Sequence, residues 1–277
     1  MKVIKSVFNF YINSSIHVAL AVYAMTWVTL ISFDLPYDEN VLYFAFFATI
    51  TAYNFIKYFG LAKFHHRSLA NWLRIIQLFS AVAFVFMCYY LLQLNLRTLT
   101  LIGFLAVATF LYAIPLIPKR YLFDEQQNLR EISGAKIYII ALVWAFVTVL
   151  LPIINAELEL SADVSVTLFQ RFCYVLVLML PFEIRDLNYD SLKLATIPQK
   201  IGIKKTKIIG VLLLMVFIML EFFKDEINEI SVISTLMIMF ITLLFLIFSS
   251  KKQHKYYSAF WVEALPIFWL GTLLLLR

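Results

Sequence analysis

The stretch that decides how this chain is built runs from Pro181 to Lys205 and reads PFEIRDLNYDSLKLATIPQKIGIKK. It follows directly on an apolar run that suits a lipid environment. Three acids then arrive, Glu183, Asp186 and Asp190, at a spacing that puts all three on one face of a helix. The stretch therefore predicts a membrane helix that ends in a cluster of carboxylates.

Composition places the whole chain in a membrane. Of its 277 residues, 63% are hydrophobic and 14% are charged, whereas soluble domains average about 25% charged residues. The surplus of apolar residues requires a bilayer as solvent, so we expect one integral membrane domain over residues 1–277. The net charge of +6 is modest for a nucleic-acid-binding protein, and we expect no nucleic-acid partner. Cys88 and Cys173 lie in apolar runs and read as packing residues without disulfide or metal spacing.

Nine apolar stretches have about the length that a helix needs to cross the hydrocarbon, roughly 20 residues each. None alternates as barrel strands do, so each is predicted to be a helix. The fold class is therefore all-α, a bundle of nine transmembrane helices. The stretches are Phe8–Phe33, Val41–Gly60, Leu69–Gln93, Leu99–Pro115, Gly134–Ile154, Val166–Arg185, Thr206–Phe223, Ile230–Phe248 and Tyr257–Leu276.

The basic residues sort cleanly between the two sides of this bundle. Nineteen of the 23 lysines and arginines fall on the N-terminus or on even-numbered connections, and the remaining four are Arg97, Arg171, Lys224 and Arg277. The positive-inside rule then predicts a cytoplasmic N-terminus and an outside C-terminus. Glu183 and Lys57 both fall at the cytoplasmic face, where one pocket lined from both segments is expected.

The carboxylate cluster needs a cation, because like charges this close repel each other. A magnesium ion prefers carboxylate and phosphate oxygens and keeps several waters, so it suits a site that holds a diphosphate against the protein. Nearby lysines and Arg185 add the positive charge that an anionic substrate requires. The alternative is a helix end whose ordinary solvated charges pair with one another.

The same stretch resembles the second aspartate-rich motif of the UbiA family of intramembrane prenyltransferases. That motif has the form D-x-x-D-x-x-x-D, followed by a lysine, the pattern T-x-P and a glycine. Glu183, Asp186 and Asp190 take its acidic positions. The tail positions and the family's Y-x-x-P-L-x-x-K-R segment are filled by Lys193, Thr196, Pro198, Gly202, Tyr112, Pro115, Lys119 and Arg120. The resemblance spans nearly the whole chain and is most specific in this second motif.

The resemblance implies transfer of a prenyl group from its diphosphate to an acceptor, often aromatic, with two aspartate motifs that bind magnesium and diphosphate. The first motif usually reads N-D-x-x-D-x-x-x-D near the end of the second helix. Here that place reads NFIKYFGLA, and Phe55, Tyr58 and Ala62 stand where the aspartates would be. Asn54 is retained. This chain is therefore predicted to be a divergent member that has lost the first motif.

Lys57 offers a replacement for the lost carboxylates, because it lies three residues after Asn54 and an ammonium can contact phosphate directly. The alternative for Lys57 is a side chain that extends toward lipid headgroups. The predicted site comprises a metal set, Glu183, Asp186 and Asp190, and a substrate set, Asn54, Lys57, Tyr112, Lys119, Arg120, Arg185 and Lys193.

The function predicted from these residues is magnesium-assisted transfer of an isoprenoid chain to a lipophilic acceptor within the membrane. The first alternative is a non-catalytic relative that binds an isoprenoid lipid or assists another membrane protein, which the lost motif favours. A transporter is less consistent with the sequence, because the acids lie at the cytoplasmic ends of helices and not near the bilayer midplane.

Overall fold

A computed structural model describes residues 2–64, 71–113, 136–187, 196–225 and 227–277. Within these ranges all regular structure is helical, as the sequence predicts, and two helices contain π-helical segments, Phe146–Leu150 and Tyr257–Val262. The α-helices are α1 (Lys2–Asn13), α2 (Ile16–Ser32), α3 (Glu39–Phe64), α4 (Asn71–Leu91), α5 (Leu96–Ala113), α6 (Lys136–Ala145), α7 (Leu151–Asn155), α8 (Ala162–Asp186), α9 (Ile197–Glu221), α10 (Glu229–Phe248) and α11 (Leu265–Leu276).

The predicted apolar stretches coincide with these helices. The first covers α1 and α2, the fifth joins α6 to α7 through a π-helical segment, and the ninth joins the second π-helical segment to α11. Among the described residues, five helices are long and apolar enough to cross a membrane, and the α1–α2 pair makes a sixth if it is one span. A polytopic membrane bundle is thereby confirmed, while the count of nine spans stays a prediction.

The first apolar stretch is not the continuous helix that its hydropathy predicts. It bends by 55° between α1 and α2, at Ser14 and Ser15. Ser15 adopts the left-handed conformation, with φ of 65°, which non-glycine residues rarely adopt. Both serines are buried. The bend places two hydroxyl groups inside the bundle, beside α3.

The core of the bundle is built around α2 and α8. Arg171, a fully buried residue of α8, donates hydrogen bonds to the Met25 carbonyl oxygen (2.7 Å) and to Thr29 Oγ1 (3.1 Å), both on α2. Its guanidinium carbon lies 5.1 Å from the ring centroid of Trp269 on α11, a cation–π distance. Helix α2 also packs directly against α11 and α3. Helices α2, α8 and α11, which are far apart in the sequence, therefore pack together in one core.

The tail of the predicted motif forms the entry to α9. The side chain of Gln199 accepts a hydrogen bond from the backbone N–H of Thr196 (2.9 Å), at the start of the helix. Gly202 then interrupts the helix with φ of 79°, a conformation that glycine adopts without steric cost. The chain thus leaves the carboxylate segment through a short turn of helix and a break, and the rest of α9 packs back along α8.

Candidate functional site

Asn54 is the centre of a buried hydrogen-bond network in which three elements meet. Its amide nitrogen donates to the Ser14 carbonyl oxygen (3.0 Å) and to Ser80 Oγ on α4 (2.8 Å). Its amide oxygen accepts from Ser15 Oγ (2.8 Å). Only 3% of Asn54 is exposed. Because its donors and its acceptor are engaged in this way, Asn54 fixes the α1–α2 bend against α3 and α4.

Lys57 lies one helical turn after Asn54, and its ammonium faces the same bend. Nζ donates to Ser15 Oγ (2.9 Å) and lies 5.9 Å from the ring centroid of Tyr53. The residue as a whole keeps exposed surface. The structure therefore turns the ammonium toward the protein interior while leaving it open to a ligand, which differs from the alternative of a side chain that extends into the lipid headgroups.

Glu263 links this network to the carboxylate segment. It follows directly on the π-helical segment Tyr257–Val262, and that segment packs against α8. The π-helical segment is anchored to the α1–α2 bend, because His17 Nε2 donates to the Phe260 carbonyl oxygen (2.8 Å). The segment that precedes Glu263 therefore contacts both the α1–α2 bend, beside which Lys57 lies, and α8, which carries Glu183 and Asp186.

The carboxylates of α8 are already engaged with the protein. Asp186 accepts two hydrogen bonds from Arg185, Nε to Oδ1 (2.6 Å) and Nη2 to Oδ2 (2.9 Å), and both side chains are 26% exposed. Glu183 is 4% exposed and accepts from the backbone N–H of Ile197 (3.2 Å), at the start of α9. Within the described ranges, no group of three or more acidic, histidine or cysteine side chains is arranged to hold a metal.

These engagements still leave room for magnesium. An ionised carboxylate offers about four lone-pair positions, and Arg185 uses one on each oxygen of Asp186. Magnesium is commonly bound through one or two carboxylates together with substrate phosphates and water. A partly exposed Asp186 thus fits a magnesium ion that a diphosphate also ligates. Glu183 fits less well because it is buried and already accepts a hydrogen bond from the start of α9.

Several predicted site residues lie outside what the structure describes. Asp190 belongs to the undescribed segment 188–195, which also contains Lys193. Lys119 and Arg120 belong to the undescribed segment 114–135. Tyr112 is in the last turn of α5, and its side chain is likewise outside the described part. Their membership of the site stays a prediction.

Two residues of the site, Ser15 and Glu263, were missed by the sequence analysis. Glu263 had a usable signal, because it is the single charged residue in the apolar stretch Tyr257–Leu276, and an ionisable residue inside a membrane span is a functional candidate by default. Ser15 carried no such signal. Its importance depends on a bend and on contacts with residues 39 and 42 positions away.

The described helices form a polytopic membrane bundle whose fold resembles that of an intramembrane prenyltransferase. The structure is similar to that of digeranylgeranylglyceryl phosphate synthase, a UbiA-family enzyme, with a TM-score of 0.56 over 100% of this chain and 97% of that chain. Sequence identity is 16%, so the likeness is one of fold. The predicted resemblance is thereby confirmed at the level of structure. No protein-family model and no curated protein matches the sequence.

Proposed function

We propose that this protein transfers an isoprenoid chain from a prenyl diphosphate to a lipophilic acceptor in the membrane, with the help of magnesium. The observation that carries the proposal is the Lys57 ammonium, held inward at the place where the first aspartate motif is missing. A fold shared with a prenyltransferase supports the same activity. The cytoplasmic face of the membrane is the proposed side of the reaction.

The proposed reaction begins with heterolytic cleavage of the bond between the first carbon of the prenyl chain and its diphosphate oxygen. Diphosphate leaves with the electron pair, the allylic cation alkylates the acceptor, and the acceptor releases a proton to the departing diphosphate. Positive charge around the leaving group lowers this barrier. The apolar interior of the bundle keeps water away from the cation.

The chain's own cations would share the work of binding the leaving group. Lys57 would bind the diphosphate from the α3 side and Arg185 from the α8 side, with Lys119, Arg120 and Lys193 as further partners from the undescribed segments. Asn54 would act through the network that it fixes, and Tyr112 would line the substrate site. Asp186, with Asp190 and Glu183, would hold magnesium, which when bound supplies additional neutralisation of the diphosphate charge.

A second candidate function is isoprenoid-lipid binding without catalysis. The specific observation that favours it is the engagement of both described carboxylates, Asp186 by Arg185 and Glu183 by the start of α9. The replacement of three motif aspartates by Phe55, Tyr58 and Ala62 agrees with it. Such a protein would bind the prenyl chain and diphosphate through Lys57 and Arg185 and would show little dependence on magnesium.

The two functions are separated by the magnesium dependence of binding. We expect geranylgeranyl diphosphate to bind the purified protein tightly only with magnesium, and the variant Asp186→Asn/Asp190→Asn to lose that dependence. The matched control is Asp34→Asn/Glu159→Gln, which removes two exposed carboxylates elsewhere and should bind like the wild type. Tight binding without magnesium in all three proteins would favour the non-catalytic function, and no binding in any of them would contradict both.

A further inference from the structure

The hydrogen bonds that lead to Lys57 have a defined direction. The Ser14 carbonyl oxygen is an acceptor only, so the amide nitrogen of Asn54 must face it. Ser80 Oγ donates its proton to the Ile76 carbonyl oxygen (2.7 Å) and therefore accepts from the same amide nitrogen. The Asn54 amide oxygen is consequently left to accept from Ser15.

The direction of the Ser15 hydroxyl follows from this. Its single proton is donated to Asn54, so its lone pairs are available to the Lys57 ammonium, which donates to it over 2.9 Å. An ammonium has three N–H donors. Within the described part of the chain, this is the one hydrogen bond that Lys57 Nζ makes, so two donors stay available to a ligand.

Ser15 occupies a backbone position that its residue type does not favour. A left-handed φ of 65° costs an L-residue roughly 1–2 kcal/mol, which glycine would avoid. Ser15 is 1% exposed, so its hydroxyl has no role in contact with solvent. What a serine provides here and glycine does not is the hydroxyl between Asn54 and Lys57.

We propose that Ser15 is a positioning residue for diphosphate binding. Its hydroxyl, oriented by Asn54, holds the Lys57 ammonium at the α1–α2 bend and presents the two remaining N–H donors to the diphosphate. The inference rests on the proposed function, in which Lys57 contacts the diphosphate. It adds that Ser15, Asn54 and Lys57 together, and not Lys57 alone, take the place of the lost aspartate motif.

The test is the substitution Ser15→Gly, which removes the hydroxyl and suits the backbone. We expect its thermal unfolding temperature to stay close to that of the wild type, since relief of the left-handed strain offsets the lost hydrogen bond to Asn54. We expect its affinity for geranylgeranyl diphosphate, with magnesium present, to fall about tenfold, the order expected for a hydrogen bond to a charged group. Glu157→Gly is the matched control, because Glu157 is exposed and also left-handed, with φ of 56°.

A double-mutant cycle distinguishes positioning from a general structural effect. If Ser15 acts through Lys57, Ser15→Gly should weaken binding in the wild-type background and have little further effect in Lys57→Met. Wild-type-like binding by Ser15→Gly, or an equal loss in both backgrounds, would overturn this inference and leave the proposed function standing. Failure of the wild type itself to bind the diphosphate would overturn both.

Discussion

At the scale of single residues, the site carries a positive charge on α3, at the place where the resemblance predicts negatively charged aspartates. Motif aspartates on α3 would recruit magnesium, and magnesium would bind the diphosphate. Lys57 supplies a positive charge directly, at the position fixed by Ser15 and Asn54. A fixed ammonium can bind a diphosphate without a bound metal, but its single charge is smaller than that of a divalent ion. The protein would therefore bind diphosphate with fewer metal ions than a member that has both motifs.

Glu263 is the acid nearest in sequence to the π-helical segment that contacts the α1–α2 bend and α8. An ionised Glu263 would lower the positive potential that a diphosphate meets, so its removal should be visible in binding. We expect Glu263→Gln to bind geranylgeranyl diphosphate several-fold more tightly at low ionic strength, with the gain shrinking as salt is added.

The control for this substitution is Glu159→Gln, an exposed acid outside the site, which should leave affinity unchanged. Weaker binding by Glu263→Gln would contradict the expectation. It would indicate that Glu263 is needed to hold Lys57 and Arg185 in place, and not that it opposes the ligand.

At the scale of elements, the packing of α8, α9 and α10 depends on a small residue. A Cβ added at Gly210 on α9 would lie 2.5 Å from Leu246 Cδ2 and 2.8 Å from Leu180 Cδ1. Both contacts are closer than real Cβ atoms show, so both leucines would have to move. Because Leu246 and Leu180 are fully buried, they have little room to do so.

Two glycine-to-alanine substitutions should therefore change stability in opposite directions. Gly210→Ala should lower the free energy of unfolding by about 1–3 kcal/mol through overpacking. Gly103→Ala, within α5, meets nothing within 4 Å and should raise it by about 0.5–1 kcal/mol, since alanine favours a helix over glycine. Thermal unfolding in detergent measures both, and equal shifts in the same direction would show that the α8–α9–α10 contact is not tightly packed.

At the scale of the whole molecule, the predicted nine spans place the two ends of the chain on opposite sides of the membrane. We expect a cysteine at position 159 to react with an impermeant maleimide in intact cells, and cysteines at positions 5 and 250 to react only after permeabilisation. The substitutions Glu159→Cys, Lys5→Cys and Ser250→Cys would be made one at a time in a background of Cys88→Ala/Cys173→Ala. Labelling of positions 5 and 159 from the same side would require an even number of crossings between them.

Much of this architecture was predictable from sequence, because hydrophobic length is a local property. Each of the nine apolar stretches coincides with helix in the described ranges. The bend at Ser15 was not predictable, since a pair of serines within an apolar run does not by itself end a helix. The spacing of Asn54 and Lys57 correctly indicated a shared direction, but it could not show whether that direction was lipid or protein.

The site was less predictable than the fold, because its parts come from distant segments. Asp186 was recognised as a metal candidate from a local pattern, whereas its pairing with Arg185 is a matter of side-chain conformation. The segment before Glu263 comes to the α1–α2 bend through the hydrogen bond between His17 and Phe260. A contact between residues 243 positions apart leaves no periodicity in the sequence.

The contact of α2 with α11 also has a consequence for how the protein is made. Membrane spans are inserted as the ribosome delivers them, and α11 follows α2 by more than two hundred residues. Until then α2 lacks a neighbour, and Arg171 lacks the Trp269 ring on which it packs. The contact between α2 and α11 therefore forms only after α11 has been synthesised and inserted. During translation, membrane lipid or an insertion factor must cover the surface that α11 later occupies.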